Sequence, residues 1–202
     1  MPRRLLALVV LLTAALASAA GSRPNIVFVI GEDMGPDTGA YGCKDAITPN
    51  MDRLSKEGAL FARSFTHTGV CAPSRSGMIT GQYPLKYGAQ NMRSKVVNPP
   101  HPFTEKLRAS GYHVMWPGKT DFQGVSEKEL ADDRKLWVNY SKQPLGKLTD
   151  KPKEPFFAYI NDSVSHESQV RASDKEHAQN TAALKPSDRR DPAKVELPPF
   201  YP

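Results

Sequence analysis

The run Pro24-Asn25-Ile26-Val27-Phe28-Val29-Ile30, ending at Gly31, limits what this chain can fold into more than any other stretch. β-Branched and aromatic side chains in unbroken succession suit a strand covered on both faces, as in a parallel sheet flanked by helices. An α/β fold is therefore expected, with this run as its first core strand. Glu32 and Asp33 follow at once, at the carboxyl end of the strand, where open α/β sheets build their ligand sites.

The rest of the chain continues the alternation of strand and helix. Thr48-Pro49 before Asn50-Met51-Asp52-Arg53-Leu54 supplies an N-cap and a first-turn proline, and Gly58 supplies a stop. Residues 60–66 read as a second extended segment. Pro73 to Thr80 reads as a helix that begins beside Cys71 and stops at Gly81. Thr104 reads as the cap of a further helix with Glu105 in its first turn, Leu107 on its inner face and Gly111 as terminator. Tyr112 to Met115 and Pro155 to Ile160 are further extended segments, the latter buried. Beyond Gln169 the chain turns polar and then Pro-rich, and no core element is expected there. Gly31, Gly35 and Gly39 are not spaced as a dinucleotide or P-loop fingerprint, so phosphate cofactors are not supported.

Arg3 and Arg4 precede an apolar run from Leu5 to Ala17, and Ala17-Ser18-Ala19-Ala20 follows as a small-residue cleavage site. Residues 1–20 are read as a secretory signal peptide, which makes the protein secreted or periplasmic and leaves no stable membrane span after cleavage. The charge, 27 basic against 21 acidic residues, is +6. Removal of Arg3 and Arg4 would lower it further, too little to call for nucleic acid as a partner. Two cysteines, Cys43 and Cys71, exclude a disulfide-dense scaffold. Sequons stand at Asn139-Tyr140-Ser141 and Asn161-Asp162-Ser163.

Cys71-Ala72-Pro73-Ser74-Arg75, continuing to Thr80-Gly81, is the strongest chemical signal. It resembles the signature of the formylglycine-dependent type I sulfatases, whose fold is the alkaline-phosphatase-like mostly parallel sheet flanked by helices. The resemblance runs from Pro24 to about His166, in the order of that family's N-terminal half. It implies that Cys71 is oxidised to formylglycine by a formylglycine-generating enzyme, and that Arg75 holds the hydrated aldehyde. A geminal diol offers one hydroxyl to attack a sulfate ester and a second whose deprotonation expels sulfate. A helix N-terminus suits the transferred anion.

Three further matches fill in the site that the resemblance implies. Glu32-Asp33 stands where the family places a pair of metal-binding aspartates, so Glu32, Asp33 and the modified Cys71 would hold Ca²⁺, or Mg²⁺ in a tighter cavity. Gly111 to Lys119 is similar to the second signature, which gives Lys119 the sulfate contact. The family's usual histidine two positions later is replaced by Asp121. A carboxylate there repels a transferred anion unless it binds metal, pairs with a cation or addresses the leaving alcohol. Pro155 to Ser168 resembles the strand and loop that bring a histidine to the sulfate, which gives His166 that place. The implied domains are a signal peptide over 1–20, the N-terminal part of a sulfatase catalytic domain over 24–169, and a polar, Pro-rich segment over 170–202 leading into the remainder of an apparently truncated domain. The implied activity is hydrolysis of sulfate esters of an extracellular or periplasmic substrate, a sulfated small molecule or glycan. A phosphoesterase of the same superfamily and a catalytically silent exported protein are the alternatives.

Overall fold

The structure, a computed structural model, describes residues 23–126, 130–132, 152–189 and 191–194. The signal segment, the sequon at Asn139 and the Pro-rich end lie outside the described residues. Three parallel strands, β1 (Ile26–Gly31), β2 (His113–Met115) and β3 (Phe156–Asp162), form a sheet in the order β1-β3-β2. β3 takes the centre and pairs from Ile26↔Phe157 to Gly31↔Asp162 on one side and from His113↔Phe156 to Met115↔Ala158 on the other. Since all three run the same way, their carboxyl ends share one edge of the sheet.

Helices α1 (Pro49–Glu57), α2 (Cys71–Thr80), α3 (Phe103–Ala109) and α4 (Asp174–Thr181) occupy the intervening and following segments. α2 buries Ala72, Pro73, Arg75, Ser76, Gly77 and Ile79. It stops at Gly81, whose φ of 67° closes the last turn in the left-handed region that glycine enters without strain. The main core joins Ile79, Val114, Trp116, Leu130, Ala131, Phe157 and Tyr159. Trp116 lies flat on Tyr159, ring centroids 3.8 Å apart and planes 7° from parallel, while Phe103 of α3 meets Phe157 edge-on at 5.5 Å. The sheet face that carries Phe157 and Tyr159 is thereby sealed by α3 and the chain that follows β2.

The strand and helix expectations hold at β1, α1, α2, β2 and β3, and four details differ. β1 is not covered on both faces: Val27 is 51% and Val29 61% exposed, on the face turned away from that of Ile26 and Ile30, which pack against the core. Residues 60–66 form no strand, and with no ladder to join, Phe61 and Phe65 stay exposed. Thr104 is not a cap. Pro102 holds that position, and Thr104 sits inside α3, fully buried. The polar segment after Gln169 contains α4, started by a capping box in which Ser173 and Glu176 satisfy each other's backbone N–H, but none of its residues is buried.

Candidate functional site

The shared carboxyl edge of the sheet explains how residues far apart in sequence meet. β1 delivers Glu32 and Asp33, the turn after β2 delivers Lys119 and Asp121, and β3 runs into Asn161 and the loop that carries His166. α2 begins at Cys71, and Arg75, one turn on, shares its face. Backbone links fix the arrangement. Glu32 N donates to Asp162 O at 3.0 Å, extending the β1–β3 ladder, and Ser165 Oγ donates to Glu32 O. Glu167 N donates to Asp33 Oδ2 at 2.8 Å. Asp33 takes a φ of 51°, a strained choice for a non-glycine residue.

Arg75 is the hub of the cluster. Its Nη2 donates to Glu32 Oε1 and Asn161 Oδ1, and its Nη1 donates to Tyr159 Oη at 2.7 Å and to Lys119 O at 3.2 Å. Arg75 and Glu32 are 6% and 4% exposed, a buried ion pair whose desolvation is offset by this many directional contacts. The other oxygen of Glu32 accepts from Lys119 Nζ at 3.2 Å. Lys119 Nζ also lies 3.3 Å from His166 Nε2, and His166 Nδ1 meets Ser168 Oγ at 2.8 Å. Burial raises the phenol of Tyr159 above its ordinary value, while the Arg75 charge and hydrogen bond pull the other way. A cleft of about 250 Å³ opens among Gly31, Glu32, Asp33, Cys71, Ser74 and Arg75.

The structure thus gathers Cys71, Arg75, Lys119, His166, Glu32 and Asp33 at one edge of the sheet. Glu32, which the resemblance made a metal ligand, stands here between two cationic side chains. Both of its oxygens are engaged by cationic side chains, and Asp33 Oδ2 is engaged by a backbone N–H and faces His166 Nε2 at 3.9 Å. The side-chain partners of Cys71 Sγ are Asp121 and Met92. Among the described residues no group of three His, Cys, Asp or Glu side chains is placed to share a cation, and Ca²⁺ requires six to eight oxygens. Arg75 and Lys119 hold the positive charge at Glu32.

Sequence reasoning missed Tyr159, Asn161 and Gln123. The first two stand on the strand that enters the site, and their alternation on β3 could have pointed to them. Gln123 is 5% exposed and clamps the turn after β2: its N–H donates to Ser76 Oγ at 3.1 Å and its Nε2 to Ala89 O at 2.6 Å. Nothing in the local sequence distinguishes this glutamine.

Two cations, a histidine and a sulfur at a helix N-terminus suit a bound, transferable anion. Comparison with known proteins agrees with that chemistry. The sulfatase family model matches residues 24–193. An ulvan-active sulfatase of Formosa agariphila is 31% identical over 72% of this chain and 26% of its own length. The N-acetylgalactosamine-6-sulfatase of Rattus norvegicus is 34% identical over 52% of this chain and 22% of its own length. The chain therefore spans about a quarter of these curated relatives. Among solved structures, a protein in complex with its substrate D-glucosamine-2-N,6-O-disulfate superposes with a TM-score of 0.60 at 20% identity, covering 72% of this chain and 35% of that one. Another, in complex with k-i-k-neocarrahexaose, gives 0.53 at 21%, covering 81% and 50%. These likenesses are of fold, the alkaline-phosphatase-like parallel sheet flanked by helices. A family that generally works through formylglycine and a divalent cation thus accounts for the pentapeptide at Cys71, the lysine after β2 and the order of elements together, and the chain belongs to the sulfatase family.

Proposed function

We propose that the protein is a sulfuric ester hydrolase acting on a sulfated glycan outside the cytoplasm, with formylglycine made from Cys71 by a formylglycine-generating enzyme as its nucleophile. The observation that carries this reading is the convergence of Cys71, Arg75, Lys119 and His166 at the carboxyl edge of the sheet. When formed, formylglycine supplies a hydrated aldehyde whose hydroxyl attacks sulfur. The other residues bind and move protons. Arg75 and Lys119 supply the two cationic side chains that can meet the sulfate monoanion. Lys119 is part exposed, so its ammonium can turn from Glu32 to a ligand in the cleft. His166, beside Lys119 Nζ and tied to Ser168, completes a pair that delivers a proton to the departing alcohol oxygen.

The glycan is supported by the relatives that act on ulvan and on N-acetylgalactosamine 6-sulfate by name. Export is supported by the signal-like residues 1–20. The test is to produce the chain together with a formylglycine-generating enzyme and compare hydrolysis of glucosamine 6-O-sulfate, 4-nitrophenyl sulfate and an aryl phosphodiester. Sulfate release that exceeds phosphodiester cleavage is expected. Preference for the phosphodiester would overturn the sulfatase reading in favour of a phosphoesterase.

A further inference from the structure

Met92 brings the turn 91–94 to the head of α2, its Sδ 3.9 Å from Cys71 Sγ. The turn is closed by Ser94, whose N and Oγ donate to Asn91 O at 3.3 and 2.9 Å. Arg93 is its third residue and has a φ of 56°. A turn with a left-handed third residue ordinarily places glycine or asparagine there. The other non-glycine residues with a positive φ among those described are Asp33 and Asp121. Aspartate is one of the types that tolerate this region, whereas a long side chain such as arginine is an outlier in it, and such outliers cluster at functional sites. The conformation is held from outside the turn. Ser94 N also donates to Oε1 of Gln123, which is 5% exposed and whose Nε2 and N donate to Ala89 O at 2.6 Å and to Ser76 Oγ at 3.1 Å. A buried clamp tied to α2 thus holds an arginine at the rim of the site in a conformation that suits glycine.

We infer that Arg93 is a specificity-determining residue, the contact for a second anionic group on a sugar whose first sulfate faces residue 71. This rests on the sulfatase reading above. Arg75 and Lys119 are both ion-paired with Glu32. Arg93 is exposed and has no hydrogen-bond or ion-pair partner among the described residues, so the protein leaves its charge unmatched. A guanidinium fork meets two oxygens of a sulfate, a sulfamate or a carboxylate at once, which gives direction as well as charge. The fixed turn ties that fork to the residue beside Met92, so the second anion must lie within one arginine side chain of the rim. A sugar with a single sulfate leaves this cation unused. The substrate class is therefore a sugar with two anionic groups, the sulfate ester that is hydrolysed and a nearby sulfate, sulfamate or carboxylate that Arg93 holds.

The test uses Arg93→Gly and Arg93→Asn, both of which suit the left-handed turn better than arginine, so that lost recognition is separated from a lost fold. Thermal unfolding should show the variants at least as stable as the parent. In chain produced with a formylglycine-generating enzyme, kcat/KM is compared for N-acetylglucosamine 6-O-sulfate, glucosamine 2-N,6-O-disulfate, and a disaccharide of N-acetylglucosamine 6-O-sulfate with glucuronic acid. The parent should prefer a doubly charged sugar to the singly charged one, and which of the two it prefers tells a sulfamate from a carboxylate. Both variants should lose that preference roughly 10–100-fold, chiefly through KM, as when a charged hydrogen-bond partner is removed. Raising the salt should weaken it in the parent, because the cation is exposed. A parent without the preference, or a preference that survives in both variants, overturns the role of Arg93, while sulfate release from the singly charged sugar keeps the sulfatase reading. Melting temperatures below the parent's in both variants overturn the strained turn. If the parent carries the aldehyde and releases no sulfate from any of the three, the sulfatase reading fails. Calorimetric binding of glucosamine 2-N,6-O-disulfate then decides the contact by itself: a Kd at least tenfold weaker in Arg93→Gly supports it, and an equal Kd, or no binding by the parent, overturns it.

Discussion

Arg75 joins three strand ends to one helix, so its removal should be felt in folding and in chemistry together. Arg75→Ala leaves Glu32 4% exposed with only the partly exposed Lys119 to oppose its charge. Breaking a buried pair from one side costs about 3–5 kcal/mol. Urea unfolding should show that loss, and sulfate release should fall with it. A loss under about 1 kcal/mol, as for a surface pair, would mean that the hub does not exist in solution. Tyr159 gives the second test at this scale. Burial raises its phenol above the ordinary value near 10, and Tyr87 is raised by burial as well. Below about pH 10 both states hold the proton, so the contribution to stability is fully present; above it the unfolded chain ionises first and stability falls. The drop in melting temperature above about pH 10 should be shallower in Tyr159→Phe. An unchanged alkaline slope would contradict the burial of that hydroxyl.

At the scale of elements, the sheet explains why the site forms where it does. A parallel sheet puts all its strand ends on one side, and α2 presents Cys71 there because its buried face, from Ala72 to Ile79, faces the core. α3 contains a defect that can be tested. Thr104 Oγ1 is buried and has no hydrogen-bond partner among the described residues. Thr104→Val keeps the shape and removes the unsatisfied hydroxyl, so chemical denaturation should show a stability gain of about 1 kcal/mol. A loss of similar size would show that the hydroxyl has a partner after all. The sequence made Thr104 look like a cap because threonine before Glu105 is the usual signal. Pro102 instead supplies the extended φ and ψ of the cap position, which moves the helix start one residue upstream of Thr104. The strands β1, β2 and β3, the Cys71 helix and the gathering of Arg75, Lys119 and His166 were legible, since they rest on local periodicity and on motifs. The ion pairs of Glu32, the contacts of Tyr159 and Asn161 and the Gln123 clamp were not, since each depends on a contact between segments more than 25 residues apart.

For the whole molecule, the face of β1 that carries Val27 and Val29 is left largely uncovered among the described residues. Both valines are more than half exposed, β1 has one edge without a strand partner among the described residues, and Phe61 and Phe65 add exposed aromatic surface. Open apolar edges of this kind drive self-association. Light scattering of the isolated chain should show concentration-dependent assembly, and Val27→Lys with Val29→Lys should reduce it at little cost in folding. Assembly unchanged by those substitutions would place the sticky surface elsewhere. Cys71, at the head of α2, is proposed to become the nucleophile of a sulfate ester hydrolase. Its most direct test is one sample in which the tryptic peptide 64–75 is weighed and sulfate release from glucosamine 6-O-sulfate is measured, beside a Cys71→Ala control. The aldehyde mass is expected on that peptide, with sulfate release in proportion to it and none from Cys71→Ala. Release that persists in Cys71→Ala, or none from fully converted chain, would contradict it.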